Sequence, residues 1–423
     1  MREALFERID QQREALVALT RDLVRIPTVN PPGEAYEACA RLLRERLAVG
    51  GFEIACLRAE GAPGDSDRHP RINLIARIEG EAPGPCVHFN GHIDVVEVGR
   101  GWSVDPFEGA IRDGRLFGRG ACDMKGGIAA AVIAIESILA AGIRFPGALE
   151  VSATADEETG GFAGVAWLAE RGYFSPPRVD HVIIPEPLDA DRICLGHRGV
   201  WWAEIETFGR TAHGSMPFLG DCAVRHMSAL IARIERDLMP GLAARSTAEP
   251  VVPEAARRST LNIASVHGGL SEAGGGLPSP MVPDSCRMLI DRRFVLEETL
   301  PEVRAELIAL LEQLRRERGG FDYAIRDVME VLPNMTAPEA PVVQALAAGI
   351  ERVLGRQPTL VASPGTYDQK HVQRIGGLAS CVAYGPGILE LAHQPDEYVV
   401  IDDLVASAKV MAAAALDLLG PPP

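Results

Sequence analysis

Short runs typical of buried β-strands alternate with helical stretches along most of this chain. Five such runs are ARIEG, CVHFN, ALEVSATA, HVIIPE and ASCVAYG, which begin at residues 76, 86, 148, 181 and 379. Because parallel strands need long crossover connections, this alternation predicts an α/β fold with a mostly parallel sheet flanked by helices. Amphipathic helices are predicted at the N-terminus and from Tyr36 to Val49.

The middle of the chain has a different order of elements. From Trp201 to Val331 the sequence reads strand, helix, two strands, helix and strand, which is the β-α-β-β-α-β order of a ferredoxin-like module. The stretches Ser246–Ser259 and Gly268–Pro283 within it are predicted to be loops. We therefore expect a discontinuous larger domain of residues 1–198 and 332–423, and an inserted module of residues 199–331.

Charge and composition exclude several classes of protein. The 423 residues include 42 Lys plus Arg and 58 Asp plus Glu, a formal net charge of −16, whereas nucleic-acid binding relies on clustered cations. The longest weakly polar run is interrupted by Glu136, and the N-terminus has no uninterrupted apolar core, so neither a membrane span nor a signal peptide is predicted. The eight scattered cysteines include no CxxC pair, which predicts reduced thiols and a cytoplasmic location.

Acidic and histidine side chains follow the β-runs at the points where those runs end. Ligand sites in open α/β sheets lie at the carboxyl ends of the strands, so these side chains are expected to converge. Asp123, just ahead of an Ala-rich helix, can join them from its loop. Two histidines with several carboxylates suit a divalent metal ion. The converging residues are His92, Asp94, Glu157, Glu158, Glu186 and His393.

Two spacings refine this predicted metal site. Asp94 lies two residues after His92, so on a strand the two side chains share a face, and the carboxylate can hold the imidazole in one tautomer. Glu157 and Glu158 are adjacent and point in different directions. One of them can therefore bind metal while the other stays free as a general base.

These segments resemble the dinuclear metallohydrolase family of acetylornithine deacetylase, succinyl-diaminopimelate desuccinylase, aminoacylase and carboxypeptidase G. The matching segments are GHIDVV at 91–96, GWSVDPFEGAIRDGRLFGRGACDMKGG at 101–127, ATADEETGG at 153–161, PEP at 185–187 and the late His393. The resemblance covers nearly the whole chain, and the long block that contains Asp123 is its most specific part.

The resemblance implies a role for each of these residues. Glu157 is expected to act as the general base, and Asp94 is expected to orient a metal ligand. The resemblance also implies two divalent ions, Zn²⁺, Mn²⁺ or Co²⁺, which would together lower the pKa of a shared water and polarise a carbonyl oxygen. The implied ligands are His92 and Glu186 for one ion, Glu158 and His393 for the other, and Asp123 bridging both.

The inserted module carries three further implied site residues. GRTAHGSMP matches the family's dimer-domain motif, so His213 is expected to reach a partner subunit's site and stabilise an oxyanion; a surface or dimer-packing role is the alternative. Asn262 and Arg293 match positions that hold a substrate carboxylate, for which a planar guanidinium is suited. Arg292 lies beside Arg293, so a register shift of one residue would exchange them, and a strand-edge salt bridge is a further alternative. The module also implies a homodimer.

The segment SPGTYDQKH resembles the family's substrate loop at Gly365 and Thr366 and then departs from it. Tyr367 indicates either an aromatic substrate or a packed loop anchor. Lys370 and His371 fit neither the deacetylase nor the desuccinylase pattern, so the acyl group is left open.

Three functions are compatible with this pattern. The favoured one is metal-dependent hydrolysis of an amide C–N bond in an N-acyl amino acid or a small peptide-like carboxylate. The alternative is hydrolytic deamination of an aromatic amino acid, of the 5-nitroanthranilate type, at the same site, motivated by Tyr367, Trp201 and Trp202. A non-catalytic binding protein is the third, disfavoured by the intact ligand set and Glu157.

Overall fold

The computed structural model describes residues 2–269 and 281–422. The chain forms two compact units, which we call the first and second units. The first comprises Met1–Gly196, Met335–Val361 and Tyr367–Pro423, and the second comprises His197–Asn334 and Ala362–Thr366. Most of the loop predicted at Gly268–Pro283 lies outside the described residues.

The described residues contain sixteen β-strands and eleven α-helices, numbered here along the chain. The strands are β1 (Glu53–Arg58), β2 (Ile72–Glu79), β3 (Ala82–His92), β4 (Ala110–Arg112), β5 (Arg115–Phe117), β6 (Pro146–Thr154), β7 (His181–Ile184), β8 (Arg192–His197), β9 (Gly199–Phe208), β10 (Thr260–Gly268), β11 (Ser285–Phe294), β12 (Asp322–Val331), β13 (Asn334–Met335), β14 (Thr359–Ser363), β15 (Cys381–Ala383) and β16 (Tyr398–Val400). The helices are α1 (Arg2–Gln11), α2 (Arg13–Val24), α3 (Tyr36–Val49), α4 (Gly126–Ala140), α5 (Trp167–Ala169), α6 (Ala223–Arg233), α7 (Met239–Ala244), α8 (Leu300–Glu317), α9 (Pro341–Leu354), α10 (Gln369–Arg374) and α11 (Ile401–Leu419).

A large sheet forms the centre of the first unit, in the order β1-β2-β6-β3-β7-β15-β8-β13, with β14 paired to β8. Its central strands β6, β3, β7 and β15 are parallel neighbours, which confirms the α/β fold with a mostly parallel central sheet. The edges differ from this pattern, because β2 is antiparallel to both β1 and β6, and β8 is antiparallel to β15. No helix lies between β1 and β2, so the connection makes no crossover and the strands pair antiparallel.

The core of the first unit packs helices against this sheet. The Ala-rich α4 and α11 are largely buried, since small side chains allow helices to approach one another and the sheet closely. At Gly127 of α4, a Cβ atom would lie 2.0 Å from the main-chain oxygen of Pro185. Glycine therefore brings the start of α4 against the segment that follows β7.

The N-terminal helix predicted as one element is two helices, α1 and α2, because the backbone leaves the helical conformation at Gln12. Both halves bury apolar side chains, Leu5 and Ile9 in α1 and Leu16 and Leu23 in α2. Amphipathic periodicity continues across the break, so the hydrophobic pattern alone does not reveal it.

The second unit contains a four-stranded antiparallel sheet in the order β10-β11-β9-β12. Along the chain its strands and helices follow the order β9, α6 and α7, β10, β11, α8, β12. The core of this unit includes Trp201, Leu230, Ile290 and Leu311. One face of the sheet therefore packs on the helices, and alternate residues of the strands point the other way.

Two further expectations concern the thiols and the membrane. All eight cysteines lie within the described residues and none of them forms a disulfide. Over residues 2–269 and 281–422, every helix is too short or too polar to cross a lipid bilayer.

Candidate metal centre

The four parallel strands deliver their acidic and histidine residues to one edge of the sheet. His92 is the last residue of β3, Glu158 follows β6, Glu186 follows β7, and His393 follows β15 after a longer loop. The side chains meet there because parallel neighbours end at the same side of a sheet. Asp123 joins them from the irregular turn that precedes α4.

These five residues form two groups that share Asp123. The possible ligand atoms of His92, Asp123 and Glu186 lie within 4.8 Å of one another, and so do those of Asp123, Glu158 and His393. His92 Nε2 lies 3.1 Å from Asp123 Oδ1, whereas His393 Nε2 lies 3.4 Å from Asp123 Oδ2. Each oxygen of one carboxylate thus faces a different group, which is the arrangement of a bridging ligand.

The orientation of the His92 ring is set by a main-chain oxygen. Its Nδ1 lies 3.0 Å from the backbone oxygen of Asp94, which can only accept, so the neutral ring carries its proton on Nδ1 and presents a lone pair at Nε2. The expected contact with the Asp94 carboxylate is longer, 3.6 Å. That carboxylate instead accepts hydrogen bonds from the backbone amides of Glu157 and Glu158, each at 3.1 Å. Asp94 therefore joins the strand that carries His92 to the turn that carries both glutamates.

A strained residue starts that turn. Asp156 has a φ of 64°, in the left-handed region that non-glycine residues rarely adopt. Its buried carboxylate accepts hydrogen bonds from Arg71 Nε at 2.7 Å and from the Tyr36 hydroxyl at 2.8 Å. These two contacts hold the backbone reversal that separates the directions of Glu157 and Glu158. His393 also lies in the left-handed region, with a φ of 65°.

A buried ion pair that the sequence did not reveal supports both sides of the site. Glu397 Oε1 accepts hydrogen bonds from the backbone amides of Gly120, Cys122 and Asp123, each at 3.0 Å. Its partner Arg119 also donates to the backbone oxygen of His393 at 3.2 Å. Neither residue was among the predicted site residues, although Arg119 lies in the GRGACDMKGG segment.

The buried carboxyl groups of the site repel one another, and bound cations would reduce this repulsion. Burial, and then the charge of Asp123, raise the pKa of Glu158 to about 7 and that of Glu186 well above its usual range. Hydrogen bonds to Asp123 and Glu158 raise the pKa of His393 to about 10. Three carboxylates and two imidazoles are hard to borderline donors, and two divalent cations would offset their repulsion. The residues present therefore fit a dinuclear centre.

The predicted general base differs from the expectation in one respect, because Glu157 is not free. Lys370 Nζ, from α10, lies 3.2 Å from Glu157 Oε1, and both side chains are largely buried. Lys370 was noted in the sequence only as a departure from the family pattern.

The second unit brings together the predicted carboxylate-binding residues. Asn262 on β10 is paired in register with Asp291 on β11, so Asn262, Asp291 and Arg293 share one face of the sheet. Arg293 makes two hydrogen bonds to Asp291, at 2.7 and 3.0 Å, which is the salt-bridge alternative. Arg292 lies on the opposite face, buried and paired with Glu298 at 2.7 Å. Of the two arginines, Arg293 is therefore the one that keeps an accessible guanidinium, 22% exposed.

Gly365 and Thr366 also belong to the second unit. Arg198 donates from Nε and Nη2 to the backbone oxygen of Pro364, at 3.2 and 3.0 Å, and so fixes the segment just before them.

His213 is exposed in the second unit, and its tautomer is defined by Ser215. The Ser215 amide donates to His213 Nδ1 at 3.2 Å, so the neutral ring carries its proton on Nε2. An exposed Nε2–H is a donor that can bind a negatively charged oxygen.

The aromatic residues that motivated the deaminase alternative are engaged in packing. Tyr367 is buried, and its hydroxyl donates to the backbone oxygen of Cys194 at 3.3 Å. Trp201 lies in the core of the second unit with its Nε1 donating to Asp327 at 2.6 Å, and Trp202 is partly buried. These contacts anchor side chains, so Tyr367 fits the loop-anchor interpretation.

Comparison with known proteins identifies the family. Residues 88–417 match the peptidase family M20/M25/M40. A succinyl-diaminopimelate desuccinylase from Thioalkalivibrio sulfidiphilus is 32% identical over 405 residues, which cover 93% of this chain and 96% of that protein.

Solved structures share the fold at lower identity. A di-peptidase from Saccharomyces cerevisiae superimposes with a TM-score of 0.79 at 18% identity, covering 99% of this chain and 98% of that one. A dinuclear metal-binding M20 peptidase from Bacillus subtilis gives a TM-score of 0.68 at 17% identity, covering 96% and 98%. Together with the match over residues 88–417, these findings confirm the predicted resemblance: the chain belongs to peptidase family M20/M25/M40, and it is a metal-dependent hydrolase of C–N bonds.

Proposed function

We propose that this protein hydrolyses the amide bond of small N-acyl amino acids or dipeptide-like carboxylates at a dinuclear centre. His92 and Glu186 would hold one divalent ion, Glu158 and His393 would hold the other, and Asp123, which belongs to both groups, would be shared between the ions. The observation that carries this proposal is the Asp123 carboxylate, with one oxygen toward each group. The desuccinylase relative supports an acylated amine with a free carboxylate as the substrate class.

Different side chains of this protein transfer the proton and bind the substrate. When bound, the two ions polarise the amide carbonyl and acidify a water molecule. Glu157 takes a proton from the water molecule while the water oxygen attacks the carbonyl carbon. It then passes this proton to the amide nitrogen when the C–N bond breaks. Arg293 and Asn262 bind the substrate carboxylate, with Gly365 and Thr366 as neighbouring contacts.

A homodimer is part of this proposal. Next to His213, Met216, Phe218 and Leu219 expose apolar side chains, Phe218 by 78%. Exposed apolar clusters of this kind are typical of interfaces. His213 then donates from Nε2 to the oxyanion in the partner subunit's site. Light scattering should give the mass of a dimer, and a monomer at assay concentration would contradict both the interface and the role of His213 in the partner.

The proposal is tested with the purified protein loaded in turn with Zn²⁺, Mn²⁺ and Co²⁺. A panel of N-formyl, N-acetyl and N-succinyl amino acids and of dipeptides is scored for release of free amine, and a nitroanthranilate is scored for ammonia. At least one acylated compound should be hydrolysed, and the metal that gives the highest rate identifies the working ion. A panel that is inert with all three metals would refute the proposal, and ammonia release alone would favour the deaminase.

A further inference from the structure

A lysine ammonium is buried beside the proposed general base. Lys370 Nζ donates to Glu157 Oε1 at 3.2 Å, with side-chain exposures of 6% and 11%. The other charged groups near Glu157 include the carboxylates of Glu186 and Asp368. Lys370 therefore gives the base a buried cationic partner on the side of α10.

Lysine is a rare choice in this chain. Of the 42 Lys plus Arg residues, 3 are lysines, at positions 125, 370 and 409. Lys125 is buried and donates to the backbone oxygens of Leu23 and Ile26, whereas Lys409 pairs with Asp10 near the surface. An ammonium is a compact point charge, and a guanidinium is a wide planar fork. The presence of a lysine at position 370 in an arginine-rich chain indicates that the space beside Glu157 suits a compact ammonium group.

The helix that carries Lys370 is fixed to the turn that carries Glu157. His371 Nε2 lies 2.7 Å from the backbone oxygen of Gly160 and donates to it. Asn90, on β3, donates to Asp368 Oδ2 at 3.1 Å. Gly161 has a φ of +76°, and a Cβ atom there would lie 2.7 Å from Asp368 Oδ1, so glycine permits this close approach. Lys370 thus starts from a backbone whose distance to the turn is set by several contacts.

A glutamate next to a metal ligand has two competing uses. Glu157 adjoins Glu158, and a carboxylate on a flexible side chain beside divalent ions readily becomes one more oxygen ligand. A base engaged in that way could not take a proton from water. The pairing with Lys370 draws the carboxylate of Glu157 toward α10 and holds it there.

We infer that Lys370 is a positioning residue that keeps the Glu157 carboxylate in its proton-transfer position and out of the coordination of the metal ions. The inference rests on the proposed role of Glu157 as general base. It assigns Lys370 no contact with the substrate, so its effect should fall on turnover rather than on substrate binding.

The kinetic test compares Lys370→Met and Lys370→Arg with Lys409→Met as the matched control. Lys370→Met should lower kcat by about 10–100-fold, as expected when a reacting group is misplaced by about 1 Å, with KM within about threefold. Lys370→Arg should recover part of kcat, and Lys409→Met should match the wild type. In a Glu157→Ala background, Lys370→Met should cost nothing further. An unchanged kcat in Lys370→Met, or an effect confined to KM, would overturn the inference.

A spectroscopic test separates this inference from the proposed function. The visible absorption of the Co²⁺-loaded protein reports the number of ligands, and it requires no substrate. Lys370→Met should change this spectrum, and adding Glu157→Ala should restore it, since the intruding carboxylate is then gone. An unchanged spectrum in Lys370→Met overturns the inference even if the protein proves inert toward every acylated compound. Should Lys370→Met fail to fold, Lys370→Leu, which also removes both the donor and the charge, takes its place with the same expected results.

Discussion

The Glu397 carboxylate accepts a hydrogen bond from the backbone amide of Asp123 at 3.0 Å, across 274 positions of sequence. One buried anion thereby holds the loop of the proposed bridging ligand, while its partner Arg119 contacts the backbone of His393. Burial, and then the charge of Asp123, raise the pKa of Glu397 to about 7.

Replacing Glu397 with Gln should weaken metal binding and lower stability together. Residues that orient metal ligands typically contribute about 10–100-fold in metal affinity. Removing one member of a buried ion pair also costs about 3–5 kcal/mol, because Arg119 is left unpaired. Metal titration calorimetry and urea unfolding measure the two effects. Glu390→Gln, on an exposed residue nearby, is the control, and a Glu397→Gln protein with unchanged metal affinity would contradict the assigned role.

Glu157→Gln should abolish most of the activity while leaving the metal content unchanged. A positioned general base contributes about 10²–10⁴-fold to the rate, and the amide of glutamine cannot accept the proton. Steady-state kinetics and elemental analysis of the same sample give both readouts. Glu60→Gln, at an exposed position, should behave as the wild type. Loss of metal in Glu157→Gln would instead identify Glu157 as a ligand.

Chelation should lower the melting temperature. Removing the ions leaves the carboxylates of Glu158 and Glu186 buried near Asp123 without added positive charge. Metal that binds only the folded state stabilises it by about 2.7 kcal/mol at a concentration 100 times its Kd. Calorimetry before and after chelation, and after adding Zn²⁺, Mn²⁺ or Co²⁺ back, measures this. In the Glu158→Gln variant, chelation should lower the melting temperature by less than in the wild type. Equal melting temperatures of the wild type with and without metal would contradict a metal centre.

The stability of the metal-free protein should depend on pH through Asp368. Burial, and then the charge of Glu157, raise the pKa of Asp368 from its ordinary value of 3.8 to about 7. Between these values the folded chain holds a proton that the unfolded chain has released, so the contribution of Asp368 falls as pH rises toward 7 and then levels off. Asp368→Asn removes this dependence. Melting temperatures of the two proteins are measured from pH 4.5 to 8. As pH rises, the melting temperature of the wild type should fall relative to that of the variant. Parallel curves would show that Asp368 does not titrate in this range.

Substitution of Arg293 should affect substrate binding, whereas substitution of Arg292 should affect stability. Arg293→Met should raise KM by about 10–100-fold, the equivalent of about 1.5–3 kcal/mol for hydrogen bonds to a charged group, with a smaller change in kcat. Arg292→Met should chiefly lower the melting temperature, because Glu298 loses a buried partner. Kinetics and thermal unfolding of both variants check this. If Arg292→Met alone raised KM, the assignment of the two residues would be reversed.

The sequence predicted the parts of the site that depend on sheet topology. His92, Glu158, Glu186 and His393 each follow an apolar run, and the rule that parallel strands end at one edge was enough to bring them together. The family resemblance then supplied their grouping around Asp123.

The contacts that hold these residues were not predictable in the same way. Glu397 reaches the loop of Asp123, and Lys370 reaches Glu157, across more than two hundred positions, and no local spacing reports such a pairing. The role of Asp94 was predicted for its carboxylate, yet the main-chain oxygen makes the shorter contact, because a sequence pattern identifies a residue and not the atom that it uses.

The contacts of Arg119 and Glu397 also determine when the site can form during translation. Glu186 is synthesised before the second unit begins, whereas His393 and Glu397 follow it along the chain. At about 5–20 residues per second, the ribosome adds the intervening segment in roughly 10–40 seconds. Throughout that time the loop of Asp123 lacks the Glu397 carboxylate that holds it, and the group of Asp123 and Glu158 lacks His393. On the proposed assignment of the ligands, the nascent chain therefore has no complete metal centre until His393 has been synthesised.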